Sequence, residues 1–361
     1  MISMNEFEKE LAKRGDLVYE YLTSARYQER FVPEVIHDSV YLYLSGKRGK
    51  SLRPAVLLFS CGAAGGDEEI ALPAAAATEV FHTWTLVHDD VIDRDCMRRG
   101  GYTVHEEFRR RGADLGYGND DAMRYGTSIA ILAGDVQQGW SVSLLSELQE
   151  RGVDPNVVLH LIRMMETDVV LTLLSGQTFD VQYSKAPIES LSEDKILGML
   201  WRKTGALYEF AGKAGAMIGL STTNRENELV QAISQFTGRC GTAFQLQDDI
   251  LGVVGDTKKL GKTVGSDIRE GKRTLIVYHA FTHADEVQKR HMSRILGNEN
   301  ASAEEISEVV DILSELGSIE YTMALADSYV KGAKEQIETI PGSRYKDLLL
   351  AWAEYMVKRE S

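Results

Sequence analysis

The spacing of apolar residues follows the period of an α-helix along most of the chain. Residues 73–97, "PAAAATEVFHTWTLVHDDVIDRDCM", show this period in an alanine-rich stretch that opens with a proline, which suits a first helical turn. Strand patterns, in which apolar and polar residues alternate between hairpin turns, are absent from the sequence. The same helical period predicts further long helices over residues 156–182, 192–219, 226–254 and 303–338.

Interruptions of this pattern predict loops near residues 45–50, 62–68, 96–125 and 255–272. The segment 109–126, "RRRGADLGYGNDDAMRYG", is rich in glycine and mixed in charge. We therefore expect it at the surface, with the three arginines at 109–111 on a solvated face. No stretch rich in proline or serine divides the sequence. These features together predict a single all-α domain over residues 1–361.

The composition suits a large buried core and excludes several classes of partner. Hydrophobic residues make up 43% of the 361 residues, and 40 basic against 54 acidic residues give a net charge of −14. This charge opposes broad binding to nucleic acid or to an anionic membrane. Cys61, Cys96 and Cys240 are too far apart for a zinc site and are typical of a reducing cytoplasm. The charged start predicts no secretory signal, and the absence of a run of about 18 apolar residues predicts no membrane span.

Two acid clusters follow apolar helical stretches. In "LVHDDVIDRD", Asp89 and Asp93 lie one helical turn apart, and Asp90 lies about 100° round the helix from Asp89. In "LQDDILGVVGD", Asp248 and Asp249 follow the apolar stretch in the same way. Helix capping or a solvated helix end would explain one such cluster. Two clusters of mutually repelling carboxylates instead indicate Mg²⁺ bridging to substrate phosphates, on helices that can face each other across a bundle cavity.

Other metal sites fit the first cluster less well. A calcium-binding EF-hand loop fails because Val91 and Arg94 stand at its third and sixth positions. A His–Asp metal site built from His82, His88 and Asp89, as in all-α metal-dependent phosphohydrolases, stays open as an alternative.

Four basic motifs are interleaved with the acid clusters and supply the cations that a diphosphate ligand needs. Arginine offers phosphate a bidentate fork, and lysine offers a point charge. The "GKS" at 49–51 is not a P-loop, because Leu44 stands where the first glycine is required. The motifs are "GKSLRP" with Lys50 and Arg53, "RRG" with Arg98 and Arg99, "RKTG" with Lys203 and Thr204, and "LGKTVGSDIREGKRT" with Lys262 and Lys272.

In this order the motifs resemble those of the trans-isoprenyl diphosphate synthases, also called polyprenyl synthetases. The resemblance covers about residues 35–340 and includes "EVFHTWTLVHDDVID", "AGD", "GQTFD" and "FQLQDDILGVVGD". It implies an isoprenoid synthase fold, an all-α bundle around a deep central cavity that is usually homodimeric. It also implies a head-to-tail trans-prenyltransferase that condenses isopentenyl diphosphate with an allylic diphosphate, using three Mg²⁺ ions per active site.

The resemblance also implies a role for each matching residue. The metal ligands are Asp89, Asp90 and Asp93 in the first cluster, and Asp248 and Asp249 in the second. The homoallylic diphosphate site matches Lys50, Arg53, His82 and Arg99. The ligands of the allylic diphosphate match Arg98, Lys203 and Lys262, with Lys272 near them. The catalytic groups match Lys203 together with Thr204 and Gln245, and the last two are expected beside the developing carbocation. The inner-cavity pair that supports metal and diphosphate matches Gln177 and Asp180.

The residues before Asp89 bear on the length of the product. On a helix, Thr85 lies one turn before Asp89, Phe81 lies two turns before it, and Trp84 lies near the first of these turns. A bulky side chain here would form the floor of the pocket for the growing chain. An aromatic residue five positions before an uninterrupted "DDVID" is similar to the archaeal type of geranylgeranyl diphosphate synthase. We therefore expect a C20 product, with C15 and C25 as alternatives.

One position departs from the family pattern. Gly252 stands where the second motif ends in an acid, so a metal or water-mediated role at this position is in doubt, whereas Asp248 is unaffected. A class I terpene cyclase fits less well, because its second motif has the form N-x-x-x-S/T-x-x-x-E, and head-to-head synthases carry other acid motifs. A non-catalytic partner subunit of a heteromeric synthase stays an alternative, although the first motif keeps all three acids.

Overall fold

The computed structural model describes residues 2–45, 48–254 and 265–358, and this part of the chain is built mainly of helices. The helices are α1 (Met4–Leu22), α2 (Ala25–Gln28), α3 (Glu34–Ser45), α4 (Leu52–Ala63), α5 (Leu72–Asp93), α6 (Val104–Asp114), α7 (Asn119–Ser146), α8 (Pro155–Met164), α9 (Val170–Tyr183), α10 (Glu193–Leu200), α11 (Ala206–Gly219), α12 (Glu228–Val254), α13 (Ser266–Glu270), α14 (Leu275–His283), α15 (Glu286–Ile295), α16 (Ala303–Glu315), α17 (Ser318–Ile337) and α18 (Arg344–Lys358). The all-α prediction is confirmed.

Short elements join several of these helices. Two-residue strands, β1 (Met97–Arg98) and β2 (Gly101–Tyr102), form an antiparallel pair in which Met97 lies opposite Tyr102. The 3₁₀ turns span Glu68–Ala71, Glu147–Arg151 and Ile188–Ser190, and the π-helical turns span Met165–Val169 and Trp201–Gly205.

The chain forms two compact units. The first comprises Met1–Arg163, Lys213–Glu226 and Ser343–Leu348, and the second comprises Met164–Gly212, Asn227–Gly342 and Leu349–Ser361. The single domain expected over residues 1–361 stays a prediction.

Helix α5 is the centre of the first unit. It packs against α1, α4, α6 and α7, and the four alanines at 74–77 and Phe81 are fully buried. Small side chains let neighbouring helices approach closely, and burying a phenylalanine contributes roughly 1.5–3 kcal/mol. Close approach recurs at Gly126 of α7, where a Cβ would lie 2.1 Å from the backbone oxygen of His105. Helices α5, α6 and α7 are therefore closely packed in the first unit.

Helix α12 has the corresponding place in the second unit, where it packs along α17. Trp352 is fully buried there, with ring centroids 5.5 Å from Tyr208 and 6.0 Å from Phe236. A second apolar cluster contains Ile276 and Leu313, both fully buried. Helix α12, which bears Asp248 and Asp249, is thus well packed in the second unit.

The predicted long helices are present, and they differ from the prediction in where they end and in how regular they are. Residues 226–254 match α12, whereas the predicted helix 73–97 ends at Asp93, because Arg94 takes a left-handed conformation with φ 58°. The predicted helix 303–338 is two helices, because Gly317 breaks it with φ 65°. The predicted helices 156–182 and 192–219 each contain a π-helical turn, which periodicity does not reveal.

The loop predicted over residues 96–125 is wrong. This segment contains the β1–β2 pair, all of α6 and the start of α7. Val104, Phe108 and Gly112 recur every four residues and are buried, which gives α6 an inward face despite its charged composition. The three arginines lie on α6, where Arg109 pairs with Glu106 at 2.7 Å, in agreement with a solvated, ion-paired face.

Candidate active site

The first acid cluster occupies the C-terminal end of α5. This helix ends at Asp93, and the N–H of Arg94 caps the backbone oxygen of Asp90. Aspartate favours helix N-termini, so the explanation by helix capping is wrong for this cluster. The C-terminal end of a helix carries partial negative charge, which disfavours the carboxylates of Asp89 and Asp93. A cation at this end would relieve both the helix dipole and the repulsion between the acids.

Asp90 is bound by two side chains of the first unit. It is 1% exposed, its Oδ1 accepts from Nε of Arg98 at 2.7 Å, and its Oδ2 accepts from the hydroxyl of Tyr43 at 2.5 Å. Burial raises the pKa of Asp90, against the opposing effects of Arg98 and Tyr43. The structure thus joins a predicted metal ligand to a predicted diphosphate ligand. Tyr43 was missed by sequence reasoning, because nothing in the spacing links it to a residue 47 positions later.

The motif "RRG" forms a tight hairpin that presents Arg99. The turn between β1 and β2 is made by Arg99 and Gly100, both with positive φ, at 52° and 74°. This conformation fits the right-handed twist of paired strands. The Arg99 guanidinium lies against Gly49, where a Cβ would lie 2.6 Å from Nη2. Gly49 of "GKSLRP" therefore provides the space for an arginine of a different motif.

Arg53, His82 and Arg99 form the first-unit basic cluster. Nη1 of Arg53 donates to Nε2 of His82 over 3.1 Å. Burial, together with the charges of Arg53, Arg99 and Arg98, holds the pKa of His82 well below its usual value. A neutral histidine among arginines leaves an excess of positive charge, which suits a phosphate group. Three of the four residues predicted for the homoallylic diphosphate are thus together, and the fourth, Lys50, is exposed two residues before α4.

The π-helical turn Trp201–Gly205 presents the motif "RKTG" in the second unit. It packs closely on α9, since a Cβ at Gly176 would lie 2.4 Å from the backbone nitrogen of Lys203. Nζ of Lys203 lies 2.6 Å from Oδ2 of Asp180, so the predicted allylic-diphosphate ligand pairs with the predicted inner-cavity acid. Turns of this kind are frequent at functional sites.

Thr204, Gln245 and Asp249 form a hydrogen-bonded chain. The Thr204 hydroxyl donates to Oε1 of Gln245 at 2.7 Å, and Nε2 of Gln245 donates to Oδ1 of Asp249 at 3.0 Å. The two bonds fix the orientation of the Gln245 amide. The sequence predicted all three residues for the site, and the structure shows how they support one another.

Asp249 is the clearest sign of a cation site in the second unit. It is 6% exposed, and burial, followed by the nearby carboxylates of Asp267 and Asp180, raises its pKa to about 7. Its Oδ2 is buried and has no hydrogen-bond partner within residues 2–45, 48–254 and 265–358. A buried charged oxygen without a donor is costly, and a hard cation with oxygen ligands would satisfy it. The residues present therefore fit Mg²⁺.

Neither acid cluster forms a closed metal cage. In the described part of the chain, no three His, Cys, Asp or Glu side chains are placed to hold a metal ion together. Mg²⁺ keeps several waters and commonly binds one or two carboxylates plus substrate phosphates, so an open arrangement suits it. The alternative site built from His82, His88 and Asp89 is wrong, because His82 bonds Arg53 and His88 bonds Trp84.

Gly252 faces a carboxylate that sequence reasoning missed. A Cβ at this position would lie 2.9 Å from Oδ2 of Asp267 on α13. Asp267 lies 3.6 Å from Nζ of Lys272, which also pairs with Glu270 at 2.8 Å. The signal in the sequence is the aspartate of "GSDIREGK", which lies five residues before Lys272.

The remaining predicted residues are placed as follows. Asp248 is half-buried on α12, and Gln177 lies on α9 with its Nε2 buried. Phe81 and Trp84 are buried on α5, and Thr85 is half-buried. Lys262 lies outside the described residues.

Comparison with known proteins identifies the family. A sequence model of the polyprenyl synthetase family matches residues 34–313. The chain is 34% identical over 361 residues to a geranylgeranyl diphosphate synthase of Sulfolobus acidocaldarius, covering 98% of both chains. Among solved structures, a geranylgeranyl pyrophosphate synthetase of Pyrococcus horikoshii matches with a TM-score of 0.83 at 33% identity, covering 99% of both chains.

A geranylgeranyl pyrophosphate synthase of Corynebacterium glutamicum, solved with isoprenyl diphosphate and magnesium, matches with a TM-score of 0.80 at 25% identity. That comparison covers 99% of this chain and 100% of the other. The chain therefore belongs to the polyprenyl synthetase family, whose members are enzymes. The predicted family and the predicted isoprenoid synthase fold are confirmed. No helix in the described residues has the length and apolar content that a bilayer crossing requires.

Replacing His82 should make the protein less sensitive to acid. An unfolded histidine titrates near about 6.5, and the pKa of His82 in the folded protein is lower, so acid protonates the unfolded state first. The free energy of unfolding therefore falls as the pH drops below about 6.5. His82→Gln should lose less stability than the unmodified protein between about pH 7.5 and pH 5.5, measured by urea unfolding. His283→Gln, at an exposed position, is the control; equal losses in all three proteins would contradict the prediction.

Proposed function

We propose that this protein is a head-to-tail trans-prenyltransferase that condenses isopentenyl diphosphate with an allylic diphosphate to give geranylgeranyl diphosphate. The observation that carries the proposal is that each unit has its own cationic group near an acid cluster. In the first unit this is the first-unit basic cluster, and in the second it is Lys203, which pairs with Asp180. Two anion-binding groups match a reaction between two diphosphates. The full-length match to synthases of this product supports the same conclusion.

The first-unit basic cluster, with Lys50, binds the diphosphate of isopentenyl diphosphate. Arg53 and Arg99 supply charge, and neutral His82 fixes the direction of the Arg53 guanidinium. This diphosphate remains on the product, so its site has to bind without promoting ionisation. A site of arginines and a neutral histidine, which bind oxygens firmly without a divalent ion, suits that task.

Arg98, Lys203, Lys262 and Lys272 bind the allylic diphosphate in this proposal. Mg²⁺ bound by Asp89, Asp93 and Asp248 would neutralise the charge that builds on the departing diphosphate. Asp90 holds Arg98, and Asp180 holds Lys203, so both cations are positioned before the substrate arrives. Preorganised cations contribute more to a transition state than cations that must first reorient. The number of three ions stays a prediction.

The C–O bond of the allylic diphosphate breaks, and its electron pair leaves with the diphosphate. Thr204 and Gln245 place oxygen atoms beside the allylic cation, and the Gln245 amide is held by Thr204 and Asp249. The double bond of isopentenyl diphosphate supplies the electron pair of the new C–C bond. A proton is then lost to the released diphosphate.

Incubation of the purified protein with labelled isopentenyl diphosphate and each allylic primer tests the proposal. Asp89→Ala and Asp248→Ala should each lower kcat at least about 100-fold, since each removes stabilisation of the departing diphosphate. Asp121→Ala, at an exposed acid on α7, is the matched control and should keep its activity. Circular dichroism should show unchanged helix content. Near-normal turnover in either acid variant would rule out the metal assignment.

Replacing Trp84 tests the assignment of product length to Phe81, Trp84 and Thr85. Trp84→Ala should lengthen the main product beyond C20, because removal of the buried indole lowers the floor of the pocket. One helical turn rises about 5.4 Å, which is close to one isoprene unit. Products are sized by chromatography after dephosphorylation. An unchanged distribution would place the floor elsewhere.

We further propose that the protein is a homodimer. Met123, Ile131 and Leu132 expose large apolar side chains on α7, with 54%, 45% and 48% of their surface accessible, and a second copy would cover them. Light scattering during gel filtration should give twice the chain mass of 40.2 kDa. Leu132→Lys should shift the mass toward that of a single chain, because burying a lysine charge in an apolar interface is unfavourable. A mass of 40.2 kDa for the unmodified protein would refute the dimer.

A further inference from the structure

The indole of Trp84 is held by a histidine one helical turn further along α5. The Nε1–H of Trp84 donates to Nδ1 of His88 over 3.2 Å, and the two ring planes meet at 71°. Phe81 contacts the indole edge to face, with ring centroids 4.9 Å apart. The side chain of Trp84 is therefore fixed by one polar and one aromatic contact along α5.

His88 is anchored on the neighbouring helix α7. Since Nδ1 accepts the indole hydrogen, the neutral ring carries its own hydrogen on Nε2. Nε2 lies 3.3 Å from the backbone oxygen of Ile131, which can accept but cannot donate. Both contacts are satisfied by the same tautomer, so His88 links Trp84 to α7.

Gly134 makes room for the His88 ring. A Cβ at this position would lie 2.0 Å from Nε2 and 2.4 Å from Cδ2 of His88. Any larger residue would therefore displace the imidazole. Glycine is unfavourable in the middle of a helix, and its presence here has a packing reason.

The hydrogen bond orients Trp84 and is not needed to bury it. The indole nitrogens of Trp140 and Trp352 are also buried, and neither has a hydrogen-bond partner among the described residues. An indole can thus be buried in this fold without such a bond. The bond at Trp84 thus adds a directional contact to an indole that packing alone could bury.

We propose that His88, seated on Gly134, is a positioning residue that fixes the rotamer of Trp84 and thereby sets the length of the product. The inference rests on the proposed function, in which Trp84 closes the pocket of the growing chain. His88 acts through the indole, so its loss changes where elongation stops. Without His88 the indole takes further rotamers, and longer products form.

Four variants test this inference. His88→Leu removes the acceptor, whereas His88→Asn keeps an oxygen at the place of Nδ1. Gly134→Ala displaces the imidazole without changing α5, and Gly139→Ala, whose Cβ meets nothing within 4 Å, is its matched control on α7. His88→Leu and Gly134→Ala should raise the fraction of products longer than C20 by about fivefold, the population change expected from losing one hydrogen bond. The Asn variant and the control should keep the original distribution.

A second readout does not depend on activity. In protein labelled with ¹⁵N-tryptophan, Trp84→Phe identifies the indole resonance of Trp84 among the four tryptophans. His88→Leu and Gly134→Ala should move this resonance upfield, because the indole N–H loses its acceptor. If the unmodified protein makes no prenyl product, the proposed function fails, and the resonance still tests the His88 contact.

A double-mutant cycle separates His88 from other routes to the same effect. Phenylalanine has no N–H, so His88→Leu in a Trp84→Phe background should change the product distribution no further. An equal change in both backgrounds would overturn the proposal, since His88 would then act independently of the indole. An unmoved indole resonance in His88→Leu would overturn it as well.

Discussion

Clustered carboxylates on two helices set the main electrostatic constraint on this protein. Asp89 and Asp93 lie at the end of α5, where the helix dipole is negative, whereas Asp248 and Asp249 lie more than one turn before the last residue of α12. The acids of each cluster repel one another, and the dipole of α5 adds to this cost at the first cluster. A bound cation would compensate these repulsions. The surrounding cations, amides and hydroxyls follow from this constraint.

The protein meets part of the constraint with its own side chains. Arg98 and Tyr43 satisfy both oxygens of Asp90, whereas Gln245 satisfies one oxygen of Asp249. This difference gives the two aspartates different roles. Asp90 serves to fix an arginine, and Asp249 stays available for a further cation. The two paired-aspartate motifs are alike in sequence and differ in what their second acid does.

Strained backbone conformations occur in or next to the candidate site motifs. In the described residues, the non-glycine positions with positive φ are Ser51, Arg94, Arg99 and Ser221. A left-handed conformation costs such a residue about 1–2 kcal/mol, and strain of this kind collects at functional sites. Ser51 lies within "GKSLRP" just before α4, Arg94 follows the last residue of α5 and the first acid cluster, and Arg99 forms the hairpin turn. Three of the four strained positions thus lie in or next to candidate site motifs.

Periodicity predicted the long helices, and charge patterns indicated the two acid clusters and the four basic motifs, because both depend on residues close in sequence. The roles of the single residues came from the family resemblance and stay predictions. Contacts between distant residues were not predictable in this way. Tyr43 and Asp90, or Asp180 and Lys203, are linked only once the helices have packed. The hairpin at 97–102 was missed because two-residue strands carry no alternating pattern. The π-helical turn at 201–205 was missed because one extra residue in a turn barely disturbs the helical period.

Gly252 shows how a local departure from a motif is tied to a contact with another helix. A side chain at this position would meet the Asp267 carboxylate, and an aspartate there would place two like charges in contact. Glycine instead leaves room for Asp267, which is close enough to raise the pKa of Asp249 and lies near Lys272. The position that lacks a carboxylate on α12 is therefore next to a carboxylate carried by α13. Asp267 adds negative charge beside Asp249, so the loss of the motif's last acid does not leave this end of α12 without a neighbouring carboxylate.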